Sequence, residues 1–361
     1  CRHGRRLALL TVKITDFRCV EAAMLEFGAR NNLICGPNAS GKTSILEAIA
    51  YLGRARSFRG AGTRELVRHG AEEFLVVGTT TVGSRQETLG IKNGKTGLEV
   101  RAGGERSSSA APLAEALPLQ VIDPDIHDLI GGGPEGRRRY LDWVAFHVEQ
   151  SYLETWRRFR RALRQRNAAL KEGASIASLS AWDTELEVLG TAVSETRERM
   201  MDMTAPVVAK QGEALLGSSV TVSYARGWPA DVSLGEALRS SARRDVQLGS
   251  TQQGPHRGDL KLSYDERQAR KLVSRGQQKL LACAMILAAS EVVQTVLKKP
   301  LLLLLDDPAA ELDKESVGRL MTAVEGLGAQ VVATTLDPEQ PLFQESPSLF
   351  HVEHGRVTAA A

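Results

Sequence analysis

Gly36-Pro37-Asn38-Ala39-Ser40-Gly41-Lys42-Thr43 matches the spacing G-x-x-x-x-G-K-[ST] of a phosphate-cradling loop. Its flanks fit. Asn32-Leu33-Ile34-Cys35 is a short apolar run of the kind that forms a buried strand, and Ser44 to Leu52 has helical spacing and good helix formers. A strand, a glycine loop and a helix start in that order turn backbone N–H groups and the positive end of a helix dipole toward phosphate. Lys42 is expected to reach the β- and γ-phosphates, and the Thr43 hydroxyl to bind Mg²⁺. The fourth position is Ala39, so the loop must take its shape there with a Cβ present.

The second half of such a site lies far downstream. Leu272-Val273-Ser274-Arg275-Gly276-Gln277 precedes a long apolar helix, and Ser274 suits an N-cap. Leu301 to Leu305 reads as a continuous buried strand ending in Asp306-Asp307, after the helix stop at Pro300. Ligands of open α/β sheets bind at the carboxyl ends of strands, so Asp306 is expected to hold Mg²⁺ and Asp307 to face an attacking water. Ala310-Glu311-Leu312-Asp313 opens the next helix, and Gln330 to Ala333 is a further core strand, followed by Thr334-Thr335. Gln120, on the strand 118–124, is the candidate for a glutamine that senses water and Mg²⁺; the alternative is a polar strand-end residue.

Between the halves the texture changes twice. Strands from Leu7 to Ile14 and Ala22 to Phe27, then Phe74 to Val82 and Thr88 to Ile91, with Asn93-Gly94 as a hairpin signal, predict an antiparallel β layer. From Gly131 helices dominate. Tyr152, Trp156, Phe159, Leu163 and Leu170 share one face, and Trp182, Leu186, Leu189, Val193, Thr196, Met200 and Met203 another, which predicts a short antiparallel coiled-coil hairpin. The expected organisation is a phosphate-binding α/β head in two parts, 1–130 and 216–361, with a helical lobe inserted at 131–215.

The 361 residues carry a net charge of +3, too little to argue for a polyanionic partner except through local clusters. Arg56 and Arg59 flank Phe58 in a glycine-bounded loop, Arg137, Arg138 and Arg139 are consecutive, and Arg157, Arg158, Arg160, Arg161, Arg164 and Arg166 crowd one helix with no acid between them. A solvated face is the bland reading; a polyanion or protein contact is the sharper one. Four cysteines lack metal-ligand spacing and read as buried reduced thiols, which suits the cytoplasm. Arg5 to Leu10 is too short for a signal sequence, and the apolar runs read as too short for a membrane span.

The phosphate loop, Ser274-Arg275-Gly276-Gln277, the strand through Asp306 and the segment Ala310 to Asp313 together resemble the ATP-binding-cassette ATPases. Ala310 departs from the serine usual there. Adding Ile14 to Arg18, Arg56 to Arg59, Arg137 to Trp143 and Gly254-Pro255-His256-Arg257, the chain resembles the RecF family from about Leu7 to His351. The resemblance implies that ATP and Mg²⁺ bind Gly36 through Thr43, and that Ser274, Gly276, Gln277 and Asp313 close on the nucleotide of a second copy. It implies a homodimer with two ATPs, weak DNA-stimulated hydrolysis used as a switch, binding of single-stranded and gapped duplex DNA, and partnership with RecO and RecR in loading RecA. The arginines at 56, 59 and 137–139 are the expected DNA contacts. Transporter-type ATPases fit less well, having a histidine where this chain has Thr334 or Thr335. SMC-like proteins carry far longer coiled coils.

Overall fold

The computed structural model describes residues 9–82, 85–265, 267–268, 274–299, 301–337 and 341–359. Cys1, Leu7, Leu272, Val273 and Pro300 lie outside them. The chain forms two compact units, one of residues 1–126 with 297–361 and one of 127–296.

The first unit has two sheets. One is antiparallel: β1 (Leu9–Phe17), β2 (Val20–Glu26), β4 (Glu73–Val82), β5 (Arg85–Gly94), β6 (Glu99–Ala102) and β7 (Glu105–Ser107), in the order β2-β1-β4-β5-β6-β7. The other is mixed and includes β3 (Asn31–Cys35), β8 (Leu119–Ile122), β12 (Leu302–Leu305), β13 (Gln330–Thr335), β14 (Ser348–Glu353) and β15 (Arg356–Ala359), in the order β15-β14-β3-β13-β12-β8. All pairs in it are parallel except β14 with β15. The all-leucine strand β12 sits inside the sheet, buried at every residue, as expected where both faces are covered.

Helix α1 (Lys42–Arg54) is buried from Ser44 to Gly53 because it packs against both sheets. Ile45, Leu46, Ile49 and Leu52 share a core with Leu9, Val12 and Ile14 of the antiparallel sheet and with Val121, Leu304 and Val332 of the mixed one. Two short helices, α2 (Thr63–Leu66) and α3 (Ala111–Ala116), complete this unit before α10 (Lys314–Gly326). The expected Asn93-Gly94 hairpin turn sits two residues later. Asn93 pairs with Phe74 inside the ladder, and the chain reverses at Gly94 to Gly97, where the Gly97 N–H donates to the Gly94 carbonyl at 3.1 Å.

The second unit holds α4 (Asp128–Gly131), α5 (Pro134–Val148), α6 (Tyr152–Lys171), α7 (Ile176–Leu216), α8 (Leu234–Leu248), α9 (Arg275–Leu297) and a small sheet of β9 (Val220–Ala225), β10 (Asp259–Tyr264) and β11 (Arg267–Gln268). Helices α6 and α7 form the antiparallel hairpin, turning at 172–175. The division falls at 127 and 297 rather than 131 and 216, because β9 packs on α7 and β10 on α5. Helix α8 was not expected from the sequence; it is fixed by a capping box in which Ser233 and Glu236 each accept the other's backbone N–H. Contrary to the sequence expectation, α9 is long and apolar enough to cross a membrane; it is a core helix, with 72% of its apolar window buried.

Candidate functional site: a phosphate cradle at the strand ends

The loop after β3 is held by backbone geometry. Gly36 has φ 153°, and a Cβ there would lie 2.2 Å from the Val352 carbonyl oxygen, so only glycine fits. Ala39 takes the left-handed conformation at φ 59° despite its Cβ, meeting the demand read from the sequence. Pro37 and Asn38 are exposed on the loop, while Ser40 is buried and its Oγ has no partner among the described residues. Gly41, at φ 114°, leads directly into α1. Lys42 folds back over the loop, donating from Nζ to the carbonyls of Gly36 at 2.7 Å and Pro37 at 2.8 Å. Burial lowers its pKa, and the carboxylates of Asp306 and Asp307 act against that shift.

The carboxyl ends of the parallel strands bring the acids to this loop. The Thr43 hydroxyl donates to Asp306 Oδ1 at 3.0 Å, and the Thr334 hydroxyl donates to the same oxygen at 2.8 Å. Burial raises the Asp306 pKa, and these two hydroxyls pull it back. Asp307 bends out of β12 at φ 47°, and its N–H donates to Thr334 Oγ1 at 2.9 Å. Its side chain lines the same cavity.

That cavity measures about 520 Å³ and is lined by the loop from Asn38 to Ser44 and by Asp306, Asp307, Thr334 and Thr335. Two arginines, Arg18 and Arg59, join the lining. Glu47, fully buried in α1, organises both. It pairs bidentately with Arg18 through Nε and Nη2, and accepts from the Ser57 hydroxyl. Ser57 Oγ in turn accepts from the N–H groups of Arg59 at 3.0 Å and Ala61 at 3.2 Å, fixing the turn that carries Arg59.

The donor set suits Mg²⁺. One hydroxyl and one carboxylate oxygen are hard ligands, and Mg²⁺ binds through one or two carboxylates, with water and substrate phosphate filling the rest. Among the described residues no group of three His, Cys, Asp or Glu side chains offers a self-sufficient metal cage.

Several sequence expectations are corrected. Gln120 is buried within β8, paired with Leu303, and its Oε1 accepts from Arg54 Nη2 at 2.7 Å, so its side chain does not line the cavity. Asp123, one residue beyond β8, lies beside Asp306 and was missed; burial and the neighbouring acids Asp125 and Asp306 push its pKa up to about 6. Arg137 is only 2% exposed, forms a bidentate pair with Asp259, and donates to the carbonyls of Leu129, Ile130 and Gly132, which excludes it as a DNA contact. Arg138 donates to the Gly258 carbonyl at 2.7 Å, and Arg139 pairs with Glu135 one turn earlier. Arg56 is exposed just beyond α1, whereas Arg59 faces the phosphate cavity. Cys35 and Cys283 are buried as expected, but Cys19 is exposed, with Sγ 3.5 Å from Ser44 Oγ.

In the other unit Ser274 is an exposed N-cap: its Oγ accepts from the Gln277 N–H at 3.3 Å, and Gln277 Oε1 accepts from the Ser274 N–H at 2.9 Å. Gly276 lies half-buried between them. Asp313 is also exposed and caps α10 by accepting from Ser316 N–H at 2.9 Å and from its hydroxyl at 2.8 Å.

Comparison with known proteins places this geometry. The sequence model of the RecF/RecN/SMC N terminal domain family matches residues 8–358. The DNA replication and repair protein RecF of Pseudomonas fluorescens is 39% identical over 98% of both chains, and that of Azotobacter vinelandii is 40% identical over the same shares. Among solved structures, the recombination mediator protein RecF with ATP, in the RecFOR pathway, superposes with a TM-score of 0.87 at 25% identity over the full length of both chains. An SMC head bound to the C-winged helix domain of ScpA shares the fold, with a TM-score of 0.62 at 15% identity over 98% of both. The chain belongs to the RecF family of DNA replication and repair proteins.

Proposed function

We propose that this chain is an ATP-dependent clasp on DNA. Lys42 and the loop N–H groups hold the phosphates of ATP, while Thr43 and Asp306 would hold Mg²⁺, which would supply neutralisation of phosphate charge. Two copies close around two ATPs, each presenting Ser274, Gly276 and Gln277 at the start of α9, and Asp313, to the γ-phosphate held by the other. The closed dimer binds gapped or duplex DNA in the cytoplasm and works with RecO and RecR in loading RecA. The observation that carries the reading is the 3.0 Å hydrogen bond from Thr43 to Asp306, which joins the loop to the strand end across 263 residues of sequence. The RecF relatives, one of them solved with ATP, support it.

Hydrolysis is slow in this reading. Asp307 is one methylene shorter than a glutamate base, and Thr334 or Thr335 stands where transporter ATPases carry a histidine, so base reach and charge stabilisation are both weaker. Light scattering with and without Mg²⁺ and ATP tests the clasp. The parent should double in mass with ATP, and Lys42→Met and Ser274→Arg should stay monomeric. A Ser274→Arg protein that dimerises like the parent removes the clasp from the reading.

A further inference from the structure

Of the expected DNA contacts, Arg137 is buried, Arg138 is tied to a carbonyl, Arg139 to a glutamate, and Arg59 faces the phosphate cavity. Arg161 and Arg164 of α6 are placed differently. Tyr152, Phe159, Ala162, Arg166 and Leu170 form the buried seam of this helix. At 100° per residue, Arg157, Arg161 and Arg164 fall on the side directly opposite, with Arg160 and Lys171 on its flank. All five are exposed. From Thr155 to Lys171 the helix contains no acidic residue. Of the acids on neighbouring helices, Asp183 of α7 binds the buried Arg166 at 2.8 Å, Glu185 of α7 sits 3.8 Å from Arg158, and Glu135 of α5 is near enough to Arg160 for the arginine's charge to help lower the Glu135 pKa; none of these contacts involves Arg161 or Arg164. Arg160 stacks on Trp156, its guanidinium carbon 4.8 Å from the ring centroid.

We infer that this face of α6 is a binding surface for the phosphodiester backbone of duplex DNA. The inference rests on the DNA-binding reading above and adds its location. A helix face of arginines without interleaved acid attracts a dense line of negative charge, and a planar guanidinium matches a phosphate through two parallel hydrogen bonds. An acidic protein surface offers fewer and more widely spaced charges. Contacts of this kind carry no base information, so binding is independent of sequence.

The test uses the full chain with Mg²⁺ and ATP, and a fluorescent 30-base-pair duplex titrated at several salt concentrations. Arg161→Gln/Arg164→Gln should bind tenfold or more weakly near 0.1 M salt, and its log–log salt slope should be shallower by about 1.8, since each lost phosphate contact removes about 0.9. Arg161→Lys/Arg164→Lys should keep the parent slope. ATP-induced dimerisation and the melting temperature should be unchanged in both. Unaltered affinity and slope in the glutamine variant would overturn the inference and leave the face to solvent or a protein partner. A parent chain that binds no duplex at all would instead overturn the DNA reading itself.

Discussion

Thr334 Oγ1 donates to Asp306 Oδ1 at 2.8 Å while accepting the N–H of Asp307 at 2.9 Å. One hydroxyl therefore fixes both consecutive acids, the first through its carboxylate and the second through its backbone. Replacing Thr334 with valine keeps the shape and removes the relay. A hydrogen bond to a charged group contributes about 1.5–3 kcal/mol, so affinity for Mg²⁺ and ATP should fall about tenfold or more. Thr334→Ser should restore most of it, and Thr335→Val, whose hydroxyl donates instead to the Asp337 carbonyl, should have little effect. Titration with a fluorescent ATP analogue at fixed Mg²⁺ reads all three.

Glu47 acts at a distance from the phosphates. It makes the bidentate pair with Arg18 and receives the Ser57 hydroxyl that holds the Arg59 turn. Glu47→Ala strands a partly buried guanidinium and should cost about 3 kcal/mol of stability. Glu47→Gln keeps the volume and one acceptor, so it should fold better yet still bind ATP several-fold more weakly. Equal affinities for parent and Glu47→Gln would show that Arg18 and Arg59 need no such anchor.

Asp123 and Gln120 separate by register. The ladder sets Ile122 opposite Leu305, so the residue beside Asp306 is Asp123, while Gln120 lies opposite Leu303, about 10 Å back along the strand. Asp123→Asn should lower ATP turnover with little change in ATP affinity. Gln120→Ala should act through stability, because it leaves the Arg54 guanidinium with one acceptor fewer in a buried place. Single-turnover kinetics beside thermal melts distinguish the two patterns.

These misplacements mark what was legible in the sequence. The phosphate loop, the all-leucine strand and its acid pair were readable because each is a local pattern whose chemistry is carried by neighbours in the chain. The coiled-coil hairpin was readable from its spacing. Gln120 was misassigned because strand register, a long-range property, decides which residue meets Asp306. Arg137 was misread as a surface cation because its partner Asp259 lies 122 residues away. Helix α8 carries a local signal, Ser233 followed by Glu236 at capping-box spacing.

Arg166 divides the arginines of α6 into two kinds. It is fully buried and bonded to Asp183 at 2.8 Å, Asp245 at 2.7 Å and the Thr251 hydroxyl at 2.9 Å, tying α6, α7 and α8 together. Arg166→Met strands two buried carboxylates and should destabilise this unit by about 3–5 kcal/mol. Arg164→Met, on the exposed face, should change stability by less than about 0.5 kcal/mol. Chemical denaturation followed by tryptophan fluorescence measures both, and comparable losses would remove the distinction.

His256 gives this unit its pH dependence. Its Nε2 lies 2.9 Å from the Thr251 carbonyl, which only accepts, so Nε2 carries the proton, and the buried Nδ1 has no partner among the described residues. Burial pushes the pKa down to about 4, and the Arg257, Arg138 and Arg197 charges push the same way, against the Thr251 hydrogen bond. The folded pKa lies below the unfolded value near 6.5, so acid favours the unfolded chain. The stabilising contribution is complete above pH 6.5 and is lost as pH falls from there to about 4, up to about 3 kcal/mol in all. His256→Gln keeps a donor for the Thr251 carbonyl and cannot titrate. The melting temperature of the parent should therefore fall more steeply than that of the variant between pH 6.5 and 4, and parallel curves would show that His256 is not the group being protonated.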